Sequence, residues 1–203
     1  AGGTGKSPLV LKLAEELSAR YEVAILSRGY GRTTRGFILL DEQANASTVG
    51  DEPMQYTRML KGVMVAVCEK RADGIRALLK MNPSVQLILL DDAFQHRYVK
   101  PGFSILLTEY SRPYFQDHLL PAGMLREPVS GAKRADAIVV TKCPREMNPA
   151  ETESMKMQIH PLPAQHLFFS YIQYRELHSF SKGPEMNLAA LHGKKVLLVC
   201  GIA

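Results

Sequence analysis

The sequence predicts an α/β fold, a mainly parallel sheet with helices on both faces, and a few features predict it. Gly2-Gly3-Thr4-Gly5-Lys6-Ser7 stands directly before an amphipathic run. A continuous apolar tract, Leu87-Ile88-Leu89-Leu90, ends in Asp91-Asp92. Around them, short apolar runs alternate with segments of helical period, the pattern of strands joined by crossover helices. A glycine-rich loop at a helix start together with an acid-terminated strand makes the domain P-loop NTPase-like.

The elements follow in order. Residues 8–20 place Leu9, Val10, Leu13, Ala14 and Leu17 on one helical face. Residues 23–26 read as a buried strand and 37–40 as a short one. A helix is expected over 52–60, a strand over 63–67, and a helix over 73–81 with Ile75, Leu78 and Leu79 inward. The strand over 85–90 is the most apolar, and further strands fall at 104–107 and 137–140. A helix over 151–158 and strands at 167–170 and 195–200 complete the series. Residues 1–177 are thus read as a P-loop domain cut at its start, 178–194 as a linker or loop, and 195–203 as a strand leading into a further, smaller domain.

Composition bounds the function. The 203 residues are 46% hydrophobic and 22% charged, the balance of a soluble globular chain. No stretch reaches the roughly 18 apolar residues of a membrane span. The net charge of +5 suits anionic partners such as nucleotide phosphates, a phosphorylated lipid or an anionic membrane surface. The three cysteines, Cys68, Cys143 and Cys200, are widely spaced and form no C-x-x-C pair, so neither a zinc site nor a disulfide framework is expected.

The candidate nucleotide site is Gly2, Gly3, Thr4, Gly5, Lys6 and Ser7. Glycines let backbone N–H groups turn toward phosphate oxygens, and the helix N-terminus adds a favourable partial charge. Lys6 can reach the β- and γ-phosphates, and Ser7 can ligate Mg2+. Asp91, with Asp92 beside it, lies where a metal-facing carboxylate belongs, at a strand's carboxyl end. Thr141-Lys142-Cys143-Pro144 follows the 137–140 strand in the position of a guanine-specificity motif but lacks its Asp, which favours ATP.

Nucleotide binding leaves several segments unexplained. They are Ser27-Arg28-Gly29-Tyr30-Gly31-Arg32, Val49-Gly50-Asp51-Glu52-Pro53, Asp91-Asp92-Ala93-Phe94-Gln95-His96-Arg97, Leu120-Pro121-Ala122-Gly123-Met124-Leu125-Arg126-Glu127-Pro128 and Arg134-Ala135-Asp136-Ala137. With the glycine loop, and in this order, they resemble the tetraacyldisaccharide 4'-kinase family, from Ala1 to Cys143 and again at Gly201-Ile202-Ala203.

The resemblance implies transfer of the ATP γ-phosphate to the 4'-hydroxyl of a tetraacylated glucosamine disaccharide 1-phosphate in lipid A biosynthesis. It also implies work at the cytoplasmic face of the bacterial inner membrane, with no nucleic-acid partner, and an N-terminal anchoring helix and second domain elsewhere in the protein. Asp51 would help remove the hydroxyl proton, with Asp91, Asp92 and His96 as further catalytic groups. Arg28, Tyr30, Gln95 and Arg126 would hold substrate, and Ser7, Asp91 and Glu127 would hold Mg2+. The competing reading is another P-loop NTPase acting as a nucleotide-dependent regulatory or interaction module. That class predicts a guanine motif, clustered Cys/His ligands or a degraded loop, whereas Lys6, Ser7 and Asp91 are all present.

Overall fold

A computed structural model describes residues 3–41, 43–173 and 188–195. The chain enters at the glycine loop and passes into α1 (Lys6–Ser18), then β1 (Val23–Ser27) and β2 (Ile38–Leu39). Two consecutive helices follow, α2 (Ala46–Val49) and α3 (Asp51–Met59), then β3 (Met64–Val67), α4 (Arg71–Met81) and β4 (Leu87–Leu90). The second half holds β5 (Ile105–Glu109), β6 (Ala137–Thr141), α5 (Pro149–Ile159) and β7 (His166–Phe169). Short 3-10 helices lie at Tyr114–Gln116, Val129–Arg134 and Leu188–Leu191.

The strands form two sheets. One has the order β2-β3-β1-β4 and the other β5-β6-β7. All pairings are parallel except β2 on β3, so the expected α/β layering holds with one antiparallel edge. Strand β4 is only half-buried, although it is the most apolar run, because it lies at the edge of its sheet.

Both faces of the larger sheet are covered. Ile25, Val65 and Val67 pack with Ala14 of α1 and Met54 and Tyr56 of α3. On the opposite face Ala24, Leu26 and Ala66 pack with Leu78 of α4. In the second half, Ile138 and Val140 of β6 pack with Ile159 of α5. Asn148 closes a capping box with Glu151 at the start of α5.

Several expectations shift. Helix α1 starts at Lys6 rather than residue 8, because Gly5 in a left-handed conformation (φ 79) turns the loop straight into the helix. Helix α2 has no counterpart in the sequence reading. Part of the 178–194 segment is outside the described residues, and its end forms the 3-10 helix Leu188–Leu191. Of the strand expected at 195–200, all but Lys195 also lies outside them. Among the described residues no helix is long and apolar enough to cross a membrane.

Candidate active site

The glycine loop joins the two sheets. The Thr141 hydroxyl at the end of β6 donates to the Thr4 carbonyl at 3.0 Å. Lys6 Nζ lies 3.6 Å from Asp92 Oδ1, just past β4. Gly5 supplies no side-chain cap, and a helix start of this kind favours an anion. Ser7 Oγ donates to Glu52 Oε1 at 3.4 Å. Gly2 lies outside the described residues.

Asp91 and Asp92 are adjacent but differently placed. Asp91 is 2% exposed, and its Oδ2 accepts from Ser27 Oγ at 3.2 Å and from Tyr56 OH at 3.1 Å. The buried Arg71 guanidinium donates to the Asp91 carbonyl at 3.2 Å and the Cys68 carbonyl at 2.5 Å. Burial raises the Asp91 pKa, and the neighbouring Asp92 charge adds to this against the two hydroxyl donors. Burial and the Asp91 charge also push the Tyr56 phenol up, keeping it a donor.

Asp92 takes a left-handed backbone (φ 46) and meets Lys6 and Arg126, whose Nη1 is 2.8 Å from its Oδ2. Burial works against its ionisation, but the Arg126 hydrogen bond and the Lys6 charge outweigh this and hold the carboxyl below its ordinary range. Glu52 has the opposite balance: burial of its carboxyl and repulsion from Asp91 raise its pKa.

Residues 28–36 form a loop clasped to α2. The Thr33 N–H donates to the Ser47 carbonyl at 2.8 Å, and the Thr34 hydroxyl donates to the Thr48 carbonyl. The backbones cross at two glycines. A Cβ on Gly29 would lie 2.7 Å from the Val49 carbonyl oxygen, and one on Gly50 would lie 2.9 Å from that of Tyr30. Both glycines have positive φ, 70 and 94. Asp51 follows this crossing as the first residue of α3, exposed and favourably placed for the helix dipole.

Of the expected substrate residues, Arg28, Gln95 and Tyr30 are exposed, Tyr30 at 86%. His96 feels the charges of Arg71, Arg28 and Asp92, and burial first, then the two arginines, lowers its pKa, so the imidazole is neutral near pH 7. Arg126 is already anchored on Asp92. Glu127 accepts from Arg134 Nη2 on both oxygens at 2.6 Å, with Arg97 at 3.8 Å. The Arg134 guanidinium also stacks 4.5 Å over the Phe94 ring.

The structure therefore gathers Lys6, Ser7, Asp91 and Asp92, with Arg28 and His96 within electrostatic reach of Asp92 or each other. Glu127 is held by arginines, and no contact joins it to Ser7 or Asp91 among the described residues. Glu52, Tyr56, Ser27 and Arg71 belong to the same site, but the sequence reading gave them no role. Glu52 and Tyr56 stand four residues apart on one helix, a spacing that puts them on the same face beside the motif acid Asp51. Arg71 carried no signal, since its partners are backbone carbonyls, and the one that ties it to the acid pair, that of Asp91, lies twenty residues on.

An uncapped helix start facing a lysine, a hydroxyl and paired acids is built to hold a polyphosphate, and with this sheet it defines a P-loop nucleotide-binding protein. The model of the tetraacyldisaccharide-1-P 4'-kinase family (LpxK) matches residues 1–203, and the chain belongs to that family. It is 45% identical over 212 residues to the tetraacyldisaccharide 4'-kinase of Bacteroides thetaiotaomicron, covering 100% of this chain and 56% of that protein. It is 48% identical over 207 residues to the enzyme of the same name from Parabacteroides distasonis, again covering 100% and 56%. The chain thus spans little more than half the length of these curated relatives. The crystal structure of "apo" form LpxK from Aquifex aeolicus in complex with ATP has a similar fold, with a TM-score of 0.63 and 27% identity over 86% of this chain and 69% of that one.

Proposed function

We propose that the protein containing this chain is an ATP-dependent kinase that transfers the γ-phosphate to the 4'-hydroxyl of a tetraacyldisaccharide 1-phosphate in lipid A biosynthesis. The observation that carries this is the meeting of the glycine loop with the acid pair, Lys6 to Asp92, beside the clasped loop 28–36. Family membership and a similar fold known with ATP support it.

In this reading α1 and Lys6 hold the nucleotide phosphates, and Asp92 and Arg126 set the position of Lys6 and one another. Ser7, Asp91 and Glu127 are the proposed Mg2+ residues. Oxygen donors suit that ion, and Ser7 brings Glu52 with it as a further carboxylate. No group of three or more His, Cys, Asp or Glu is poised for a metal among the described residues, which fits an ion that keeps waters and takes phosphate oxygens. Glu127 would have to exchange its Arg134 partner to join. Mg2+, when bound, would neutralise charge on the phosphates. Asp51 would draw the proton from the attacking hydroxyl, with the neutral His96 and Gln95 at the same mouth, while Arg28 and Tyr30 hold the sugar.

The +5 charge supports work against an anionic membrane surface, at the cytoplasmic face of the bacterial inner membrane. The test is labelled-ATP transfer to detergent-dispersed disaccharide by the full-length protein. Lys6→Ala should lower transfer by roughly 10²–10³-fold, the scale of one lost transition-state charge contact. Unchanged turnover would remove Lys6 from the phosphate site and the reading with it.

A further inference from the structure

The Asp91 main chain is fixed on both sides. Its N–H donates to the Leu26 carbonyl at 3.1 Å, and its carbonyl accepts from the Arg71 guanidinium at 3.2 Å. Only the side-chain torsions are left to set the plane of the carboxylate. Two donors from separate elements bear on them, Ser27 Oγ at the end of β1 and Tyr56 OH in the second turn of α3. Both reach the same oxygen, Oδ2.

Oδ1 is placed differently. No side chain among the described residues donates to it, and it is not one of the fully buried atoms left without a partner. In a residue that is only 2% exposed, Oδ1 is therefore the oxygen with surface left to meet a cation.

The core does not call for a phenol at position 56. Tyr56 is 0% exposed and packs among Ala14, Ile25, Val49 and Met54, surroundings that a ring without a hydroxyl would suit as well. A buried hydroxyl needs a partner, and here the partner is the carboxylate. The same helix also reaches the glycine loop. Glu52, one turn before Tyr56, accepts from Ser7 Oγ at 3.4 Å, and Ser7 interacts with the phenol too. One face of α3 thus meets Ser7 and Asp91, two of the groups proposed for Mg2+.

We infer that Tyr56 is a positioning residue for the divalent cation: its phenol, with Ser27, pins Asp91 Oδ2 and leaves Oδ1 to the metal that accompanies the nucleotide. The inference rests on the kinase reading and deepens it, since that reading gives Tyr56 no role. A ring that only filled the core could be replaced by phenylalanine without effect on metal binding. A phenol that sets the carboxylate could not.

The experiment uses the full-length protein, a non-hydrolysable ATP analogue and Mn2+ as the probe, with free and bound Mn2+ distinguished by electron paramagnetic resonance. Wild type, Tyr56→Phe, Ser27→Ala and Asp91→Asn are titrated with Mn2+ in the presence of the analogue, and with the analogue alone in the presence of a chelator. Tyr56→Phe should bind Mn2+ roughly tenfold more weakly, the lower end of the loss expected when a metal ligand is deprived of its outer partner. It should bind the analogue alone as wild type does. Ser27→Ala removes the other donor to the same oxygen and carries the same expectation, so it decides the matter should Tyr56→Phe not fold.

Mn2+ binding as tight as in wild type by Tyr56→Phe, or by Ser27→Ala in its place, overturns the inference. If Asp91→Asn also binds Mn2+ as wild type does, the metal role of Asp91 falls with it. If no disaccharide is phosphorylated but Mn2+ binding still depends on Tyr56, the kinase reading fails and the positioning role stands.

Discussion

With Asp92 in a left-handed backbone, two consecutive carboxylates meet different partners, Asp91 buried hydroxyls and Asp92 two cations. Asp tolerates this conformation better than most residues. The linkage to pH differs in sign. The folded chain holds the Asp91 proton more tightly than the unfolded chain, so that contribution to stability is complete below the ordinary carboxylate range and is lost as pH rises through the folded value. Asp92 is depressed, so its contribution is present above the ordinary range and is lost as pH falls through its folded value. Asp91→Asn should therefore raise stability at pH 7 by about 1 kcal/mol, since the amide oxygen still accepts from Ser27 and Tyr56 without a buried charge. Asp92→Asn should lower it. Urea unfolding midpoints at pH 7 and pH 4 check this, and the gain at position 91 should vanish at the lower pH. Sequence alone showed both acids at a strand end. Which one is buried depends on a φ angle and on Tyr56, and neither is written in the motif.

Helix α3 presents Glu52 and Tyr56 to the site, and the short α2 before it aligns the clasped loop. Asn45 caps α2 in a reciprocal box, its side chain accepting from the Thr48 N–H at 3.1 Å. Asn45→Ala should cost about 1 kcal/mol and loosen residues 28–36 with it. Hydrogen exchange should report both, with the Thr33 amide losing protection alongside those of α2. Protection unchanged at Thr33 would mean the loop is held from elsewhere. Helices with a clear apolar period, α1 and α4, were legible within a few residues. Helix α2 was not, because Ala46-Ser47-Thr48-Val49 is too short for a period and its apolar anchor is Val49 alone. Strand β2 shrank to Ile38–Leu39 from the expected 37–40, since only those residues pair with β3.

For the whole molecule, the glycine loop is one place where the β4 side and the β6 side of the structure meet. Thr141 Oγ1 serves the Thr4 carbonyl and also lies 3.2 Å from the Thr108 carbonyl. Thr141→Val keeps the shape and removes the donor. Nucleotide affinity should fall several-fold, about 1 kcal/mol, the net worth of one buried hydrogen bond. Fluorescent-nucleotide titration measures it, and an unchanged affinity would mean that the loop holds its form without the β6 side. The parallel α/β class was readable from the alternation of strand and helix. The order β2-β3-β1-β4 was not, because pairings such as Ile25 with Val65 and Leu89 join residues far apart in sequence. The same distance hid the bond from Arg71 to the Asp91 carbonyl.

The crossing of Gly29 and Gly50 has a consequence for a mutational library. Each missing Cβ is excluded by the other loop's main chain, the Val49 carbonyl in one case and the Tyr30 carbonyl in the other. Most intolerant positions can be rescued by shrinking a neighbouring side chain. Here the obstacle is a peptide carbonyl, which every amino acid carries, so no second substitution makes room. A pairwise screen should find both positions locked to glycine and no compensating partner for either, and the spacing between the arginine loop and Asp51 would be handed down unaltered while the side chains around it diverge.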